Sequence, residues 1–217
     1  MRVFIALLGA LLLTGCQASD PLSGKNDPKD PWWELSFTQP YYMKVWVEDT
    51  AVEDINGQLF KHTGRGSAAD GDPGLKKEWA RGWSGVGGGG WSVVGADLPK
   101  RIYVRWQSVV EPQTYRAWVD IPEEARKIMT TSTNRRCPET PHQTARYMAS
   151  VYLGLAPSGI VQVWVRDECR HPVKVARAQA EIEPLGPHLG KSNGHYYPLS
   201  ENSKRYIEKY GIPYGSW

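Results

Sequence analysis

Apolar and polar side chains alternate with a period of two along much of this chain, and that spacing predicts strands rather than helices. In 102–107 (IYVRWQ), Ile102, Val104 and Trp106 share one face while Tyr103, Arg105 and Gln107 share the other. The rhythm returns in 114–121 (TYRAWVDI), with Tyr115, Ala117, Val119 and Ile121 on one side. Glu111-Pro112 lies between these runs, so together they read as a hairpin. Residues 145–155 and 160–166, separated by Ala156-Pro157-Ser158-Gly159, read as a second hairpin, with Val161, Val163 and Val165 facing a core. Residues 42–47 (YMKVWV), 91–94 and 173–182 predict further strands, and Asn56-Gly57 predicts a tight turn.

Helical signals are few. Pro122-Glu123-Glu124 opens a helix of about two turns, because proline suits the first turn and carboxylates suit the positive end of the helix dipole. Ser200 is placed to N-cap a last helix running to Tyr210, which Gly211 and Pro213 stop. Residues 62–90 are glycine-rich and read as loop, and no internal repeat is present. The expected fold is mainly β (α+β): an antiparallel β-sandwich or curved sheet with two or three short helices.

The N-terminus breaks the pattern. Arg2 is followed by an uncharged apolar run from Val3 to Leu13. That run is shorter than the roughly 20 residues a bilayer needs and has the shape of a secretory signal. Leu13-Thr14-Gly15-Cys16 resembles the bacterial lipobox, which implies cleavage before Cys16 and acylation of its thiol. Two or more acyl chains anchor a protein stably where one does not. Gln17 resembles the outer-membrane sorting pattern of enteric-type bacteria. Residues 1–15 are therefore expected to be a signal peptide. Residues 16–31, rich in Pro, Asp, Ser, Gly and Lys, are expected to be a lipidated cysteine and flexible tether. Residues 32–217 then form a single β-rich periplasmic domain, held at the outer membrane by its lipid.

Composition narrows the picture. Net charge is +3, too small to call for nucleic acid as a partner. Ten Trp and eleven Tyr stand against three Phe, a bias toward side chains with an apolar body and a polar tip, which suit half-buried sheet positions and interfaces. With Cys16 committed to lipid, Cys137 and Cys169 are an even pair in an oxidising compartment, and one disulfide is the expectation. A metal site with His142 and His171 competes, but neither cysteine lies in a CxxC pair and no zinc spacing is matched.

Enzyme signatures fail on context. Residues 85–90 match GxGxxG, yet a loop precedes them and an extended segment follows, where a dinucleotide site needs a strand and then a helix. No cofactor is expected. Ser84 sits in Gly82-Trp83-Ser84-Gly85-Val86, where a nucleophile elbow needs glycine in the last place. A triad of Ser84, Asp97 and His142 has no flanking support. Glu123 and Glu124 are adjacent on a helix and diverge by about 100°. His62, His142, His171, His188 and His195 show no HxH or HExxH spacing. The expectation is a non-enzyme without metal.

Three stretches carry a family resemblance: Gly89-Gly90-Trp91, the run LPKRIYVRWQSVVEPQTYRAWVDIP over 98–122, and the ending KYGIPYGSW over 209–217. They resemble a family of Gram-negative lipoproteins sharing the domain of unknown function DUF2931, over about residues 40–217. Some related lipoproteins are similar to immunity proteins that block type VI secretion phospholipase effectors. The resemblance implies a protein-binding module, with a secreted lipase toxin as partner. Trp79, Arg81, Trp83 and Trp91, around the glycine loop, are the expected partner-binding residues, since aromatic and arginine anchors carry most interface energy. The alternative is a structural or assembly lipoprotein of the cell envelope.

Overall fold

The computed structural model describes residues 32–69, 81–130, 137–139, 141–142, 149–166, 169 and 171–217. Cys16, the signal and tether segments, Trp79 and the start of the strand expected from 145 lie outside them. The strands are β1 (Trp32–Thr38), β2 (Val45–Asp54), β3 (Leu59–Lys61), β4 (Gly66–Ser67), β5 (Gly90–Val94), β6 (Pro99–Ser108), β7 (Gln113–Asp120), β8 (Ser150–Ala156), β9 (Ile160–Arg166), β10 (Pro172–Gln179) and β11 (Glu181–Ile182). The helices are α1 (Glu123–Met129) and α2 (Glu201–Tyr210).

Two sheets form. The first runs β10-β9-β8-β1-β5; the second runs β11-β7-β6-β2-β3, with β4 also pairing β2. This is the expected mainly β, sandwich-like architecture with short helices. One pairing departs from an all-antiparallel plan: β1 lies parallel to β8. Both expected hairpins form, β6 with β7 and β8 with β9, as does the β2–β3 hairpin over Asn56-Gly57. Gly57 takes φ +79, the backbone region that favours glycine in such turns.

The alternation does what its period predicts. Ile102, Val104, Trp106, Val119, Val161, Val163 and Val165 are all buried in one core with Trp33, Leu35 and Phe37 of β1. Each large side chain fully removed from water contributes about 1.5–3 kcal/mol before entropy is counted. Ser200 caps α2 by accepting from the Ser203 amide, and Gly211 ends it at φ +73.

Three segments differ from the sequence reading. The run expected to start at Tyr42 becomes a strand only at Val45, because Pro40–Met43 closes a turn through Met43 N to Pro40 O (3.1 Å), with Tyr42 at φ +63. The run expected over 173–182 is divided between the sheets. Its break is Ala180, whose amide donates to Gly159 O at 2.8 Å, so β10 edges the first sheet and β11 the second. β1 was not foreseen as a strand, although Trp33, Leu35 and Phe37 alternate into the core.

The middle of the outer face of the first sheet, over β1, β8 and β9, is covered. Ser36, Ser150, Tyr152 and Trp164 point away from the core yet are buried. Trp83 meets Trp164 edge-on at 5.1 Å, and both indoles press on Gly154, where a Cβ would lie 2.6 Å from one and 2.5 Å from the other. A second apolar cluster of Tyr42, Met43, Val110, Ala156, Tyr206 and Trp217 brings α2 and the 217 end of the chain together. Cys137 and Cys169 are joined as a disulfide, with Cα atoms 5.5 Å apart.

Candidate functional site

The outer face of the second sheet is the part of the molecule where polar chemistry concentrates. Its position follows from one irregularity in β2. Val47 pairs Trp106 and Asp49 pairs Arg105, which leaves Glu48 as the extra residue of a β-bulge. Val45 and Val47 point inward before the bulge, and Thr50 and Val52 point inward after it. The phase shift puts two consecutive carboxylates, Glu48 and Asp49, on the outer face. Bulges re-aim side chains in this way and recur beside functional sites.

Glu48 is fully engaged. Its side chain is 1% exposed and its Oε2 accepts from Arg105 Nε at 2.8 Å. Its Oε1 accepts from Gln107 Nε2 at 2.8 Å and from the His188 amide at 2.7 Å. Desolvation works against the charge on Arg105, but the hydrogen bond and field of Glu48 outweigh it and hold the guanidinium above its ordinary pKa. The His188 contact fastens a segment across the sheet end. Tyr197 stacks on Trp46 with ring centroids 3.9 Å apart, and its amide donates to Gln107 Oε1 at 2.7 Å. Gln107 is thereby buried, although it lies on the face opposite Ile102, Val104 and Trp106. His188, Leu189 and Asn193 hold φ of +52, +53 and +51, backbone strain of the kind that persists when surroundings over-determine it.

Next to the bulge lies a cleft of about 460 Å³ lined by Asp49, His62, Gly64, Arg65 and Trp91, with Glu48 and Arg105 also on its wall; this is within the usual 300–1,000 Å³ for ligand pockets. His62 Nδ1 is 2.9 Å from Asp49 Oδ1, and the imidazole is otherwise exposed.

Further along the same face, Tyr103 and Trp118 sit at 5.4 Å in a tilted pair, and the Arg101 guanidinium lies 4.5 Å over the Trp118 ring. Trp118 is 42% exposed. Arg101 is held from its other side by Glu53 (2.6 Å), and Lys100 also reaches Glu53 (3.0 Å); these two hydrogen-bond donors hold the Glu53 carboxyl below its ordinary range. Arg116 pairs with Glu181 and Glu183. Burial pushes the Tyr103 hydroxyl up, against the opposing charge of Arg105.

The expected partner-binding residues separate. Arg81 is exposed, Trp83 is half-buried against Trp164, and Trp91, 45% exposed, lines the cleft. Trp79 lies outside the described residues. Tyr103, Trp118, Glu48 and Asp49 were not singled out from sequence. The bulge had a signal, since the apolar positions change from odd (Val45, Val47) to even (Val52) across Glu48-Asp49.

Other candidates are occupied locally. Ser84 Oγ donates to Gln39 O at 2.6 Å, and Asp97 accepts from the Leu98 amide and Asn56 Nδ2. Two of the glycines of 85–90 lie close to neighbouring chain: a Cβ on Gly88 would meet Ala69 at 2.6 Å and one on Gly90, which opens β5, would meet Glu34 at 2.9 Å. Glu123 pairs with Lys127 one helical turn on. Among the described residues no three His, Cys, Asp or Glu side chains are placed to hold a metal, and no helix is long and apolar enough to cross a membrane.

Fold and site together define a mainly β, two-sheet protein with one outer face covered over its central strands and the other bearing an aromatic and charged surface. The chain belongs to the family described as Protein of unknown function (DUF2931), whose model matches residues 19–215. No curated protein and no solved structure matches it.

Proposed function

We propose that this chain is a lipid-anchored envelope protein that works as a protein-binding module, and that its partner is a secreted phospholipase toxin that it neutralises. The observation that carries the binding role is the Tyr103–Trp118 pair, displayed on the outer sheet face with Arg101 fixed over the exposed indole. Aromatic and arginine side chains dominate interface energetics, and side chains already held in place lose little entropy on docking. The ion pairs around Arg101 and Arg116 supply such holding. The anchor follows from the lipobox-like residues ending at Cys16, and it keeps the module concentrated at the membrane a lipase attacks. The toxin partner follows from the family resemblance.

The test is direct. On this reading a phospholipase is encoded beside its gene, and the full-length protein is co-produced with that enzyme. A stable complex and loss of lipase activity are expected, and Trp118→Ala should weaken the complex by about 30-fold, the effect of a hot-spot residue near 2 kcal/mol. Failure of the wild-type pair to associate sinks the toxin reading.

A further inference from the structure

We propose that the cleft beside the β2 bulge binds a neutral oligosaccharide, with a sugar ring laid on the Trp91 indole. This site goes beyond the protein-binding reading and draws on β5 of the first sheet as well as β2 and β6 of the second. Trp91 is 45% exposed, whereas Val93, its same-side neighbour on β5, is 2% exposed. The indole therefore forms a wall of the cleft rather than a plug in the core. A pyranose ring presents C–H bonds to one side, which suit the electron-rich face of an indole.

The polar groups match the same ligand. Glu48 and Arg105 neutralise each other, and both Glu48 oxygens are in use. Asp49 offers acceptor lone pairs beyond its single contact with His62, and Arg65 lines the cleft with no ion-pair partner among the described residues. One remaining acid and one remaining base leave no net charge to select an ion. A ligand whose hydroxyls both donate and accept satisfies both: donation to Asp49 and acceptance from Arg65, each a charge-assisted bond. The floor is rigid, because Glu48 is pinned by three donors, so little ordering is needed on binding.

Full-length protein is titrated separately with cellotriose, maltotriose and the trimer of N-acetylglucosamine, read by tryptophan fluorescence and ligand-observed NMR. At least one should bind saturably with Kd on the order of 1 mM. Trp91→Ala should weaken it at least about tenfold, and Asp49→Asn comparably, while Trp91→Phe keeps binding within about threefold. Trp118→Ala should leave sugar binding unchanged, which separates this site from the protein-binding face. The proposal is overturned if none of the three sugars saturates, if binding survives Trp91→Ala in a variant whose unfolding midpoint is intact, or if citrate displaces the sugar and so marks an anion site.

Discussion

Replacing Glu48 tests whether the bulge carboxylate ties the sheet to the segment that crosses it. Glu48→Ala removes the acceptor for Arg105 Nε, Gln107 Nε2 and the His188 amide at once. Breaking a buried ion pair by deleting one partner costs about 3–5 kcal/mol. Arg105 retains 13% exposure, so water recovers part of its solvation, and a loss of about 3 kcal/mol is expected. Glu48→Gln keeps a carbonyl oxygen but turns an amide donor toward Arg105. It should cost about half as much, in line with one lost charged hydrogen bond. The assay is urea unfolding followed by tryptophan fluorescence, paired with amide hydrogen exchange. Exchange at the His188 and Tyr197 amides should accelerate sharply in Glu48→Ala while the amides of β8 and β9 stay protected. A loss below about 1 kcal/mol, with unchanged exchange at His188, refutes the idea that Glu48 fastens this segment.

Other outcomes are equally specific. Gly154→Ala drives a methyl between Trp83 and Trp164 and should cost about 1–3 kcal/mol, seen as a lower melting temperature. Reduction of the Cys137–Cys169 bridge, which spans a sequence separation of 32, should cost about 3–4 kcal/mol in denaturant titrations run with and without reductant. Burial raises the Tyr115 hydroxyl, reinforced by the Glu111 carboxylate, and burial also raises Tyr103. The folded state then keeps protons that the unfolded state has released, so stability is intact below about pH 10 and falls as pH climbs past it. Urea midpoints at rising alkaline pH should decline, and Tyr115→Phe should flatten that decline; a midpoint insensitive to alkali contradicts it.

The parts of the fold legible in sequence were those written in local periodicity. β6, β7 and β9 alternate cleanly because one face of each meets a shared core, and α2 carries its own cap and stop. Three things were not legible. The parallel contact of β1 with β8 joins segments more than a hundred residues apart, and nothing in either segment names the other. Gln107 sits in the phase of a solvent-facing residue, and only the distant His188–Tyr197 segment buries it. Trp83 reads as a loop aromatic available to a partner, but Gly154 leaves a hollow that receives it. The open aromatic pair is the converse case: Tyr103 and Trp118 fell on the polar phase of β6 and β7, where a surface role was readable from alternation alone.

The most direct measurement is photo-crosslinking in living cells, with a crosslinking amino acid placed at the exposed Asp120 position, beside Trp118 on the same face of β7, or at the exposed Lys204 position of α2. Binding through the second sheet predicts a discrete adduct at 120, with the added mass of the phospholipase toxin, and little at 204. Equal adducts at both positions, or none at 120 when the toxin is present, would contradict it.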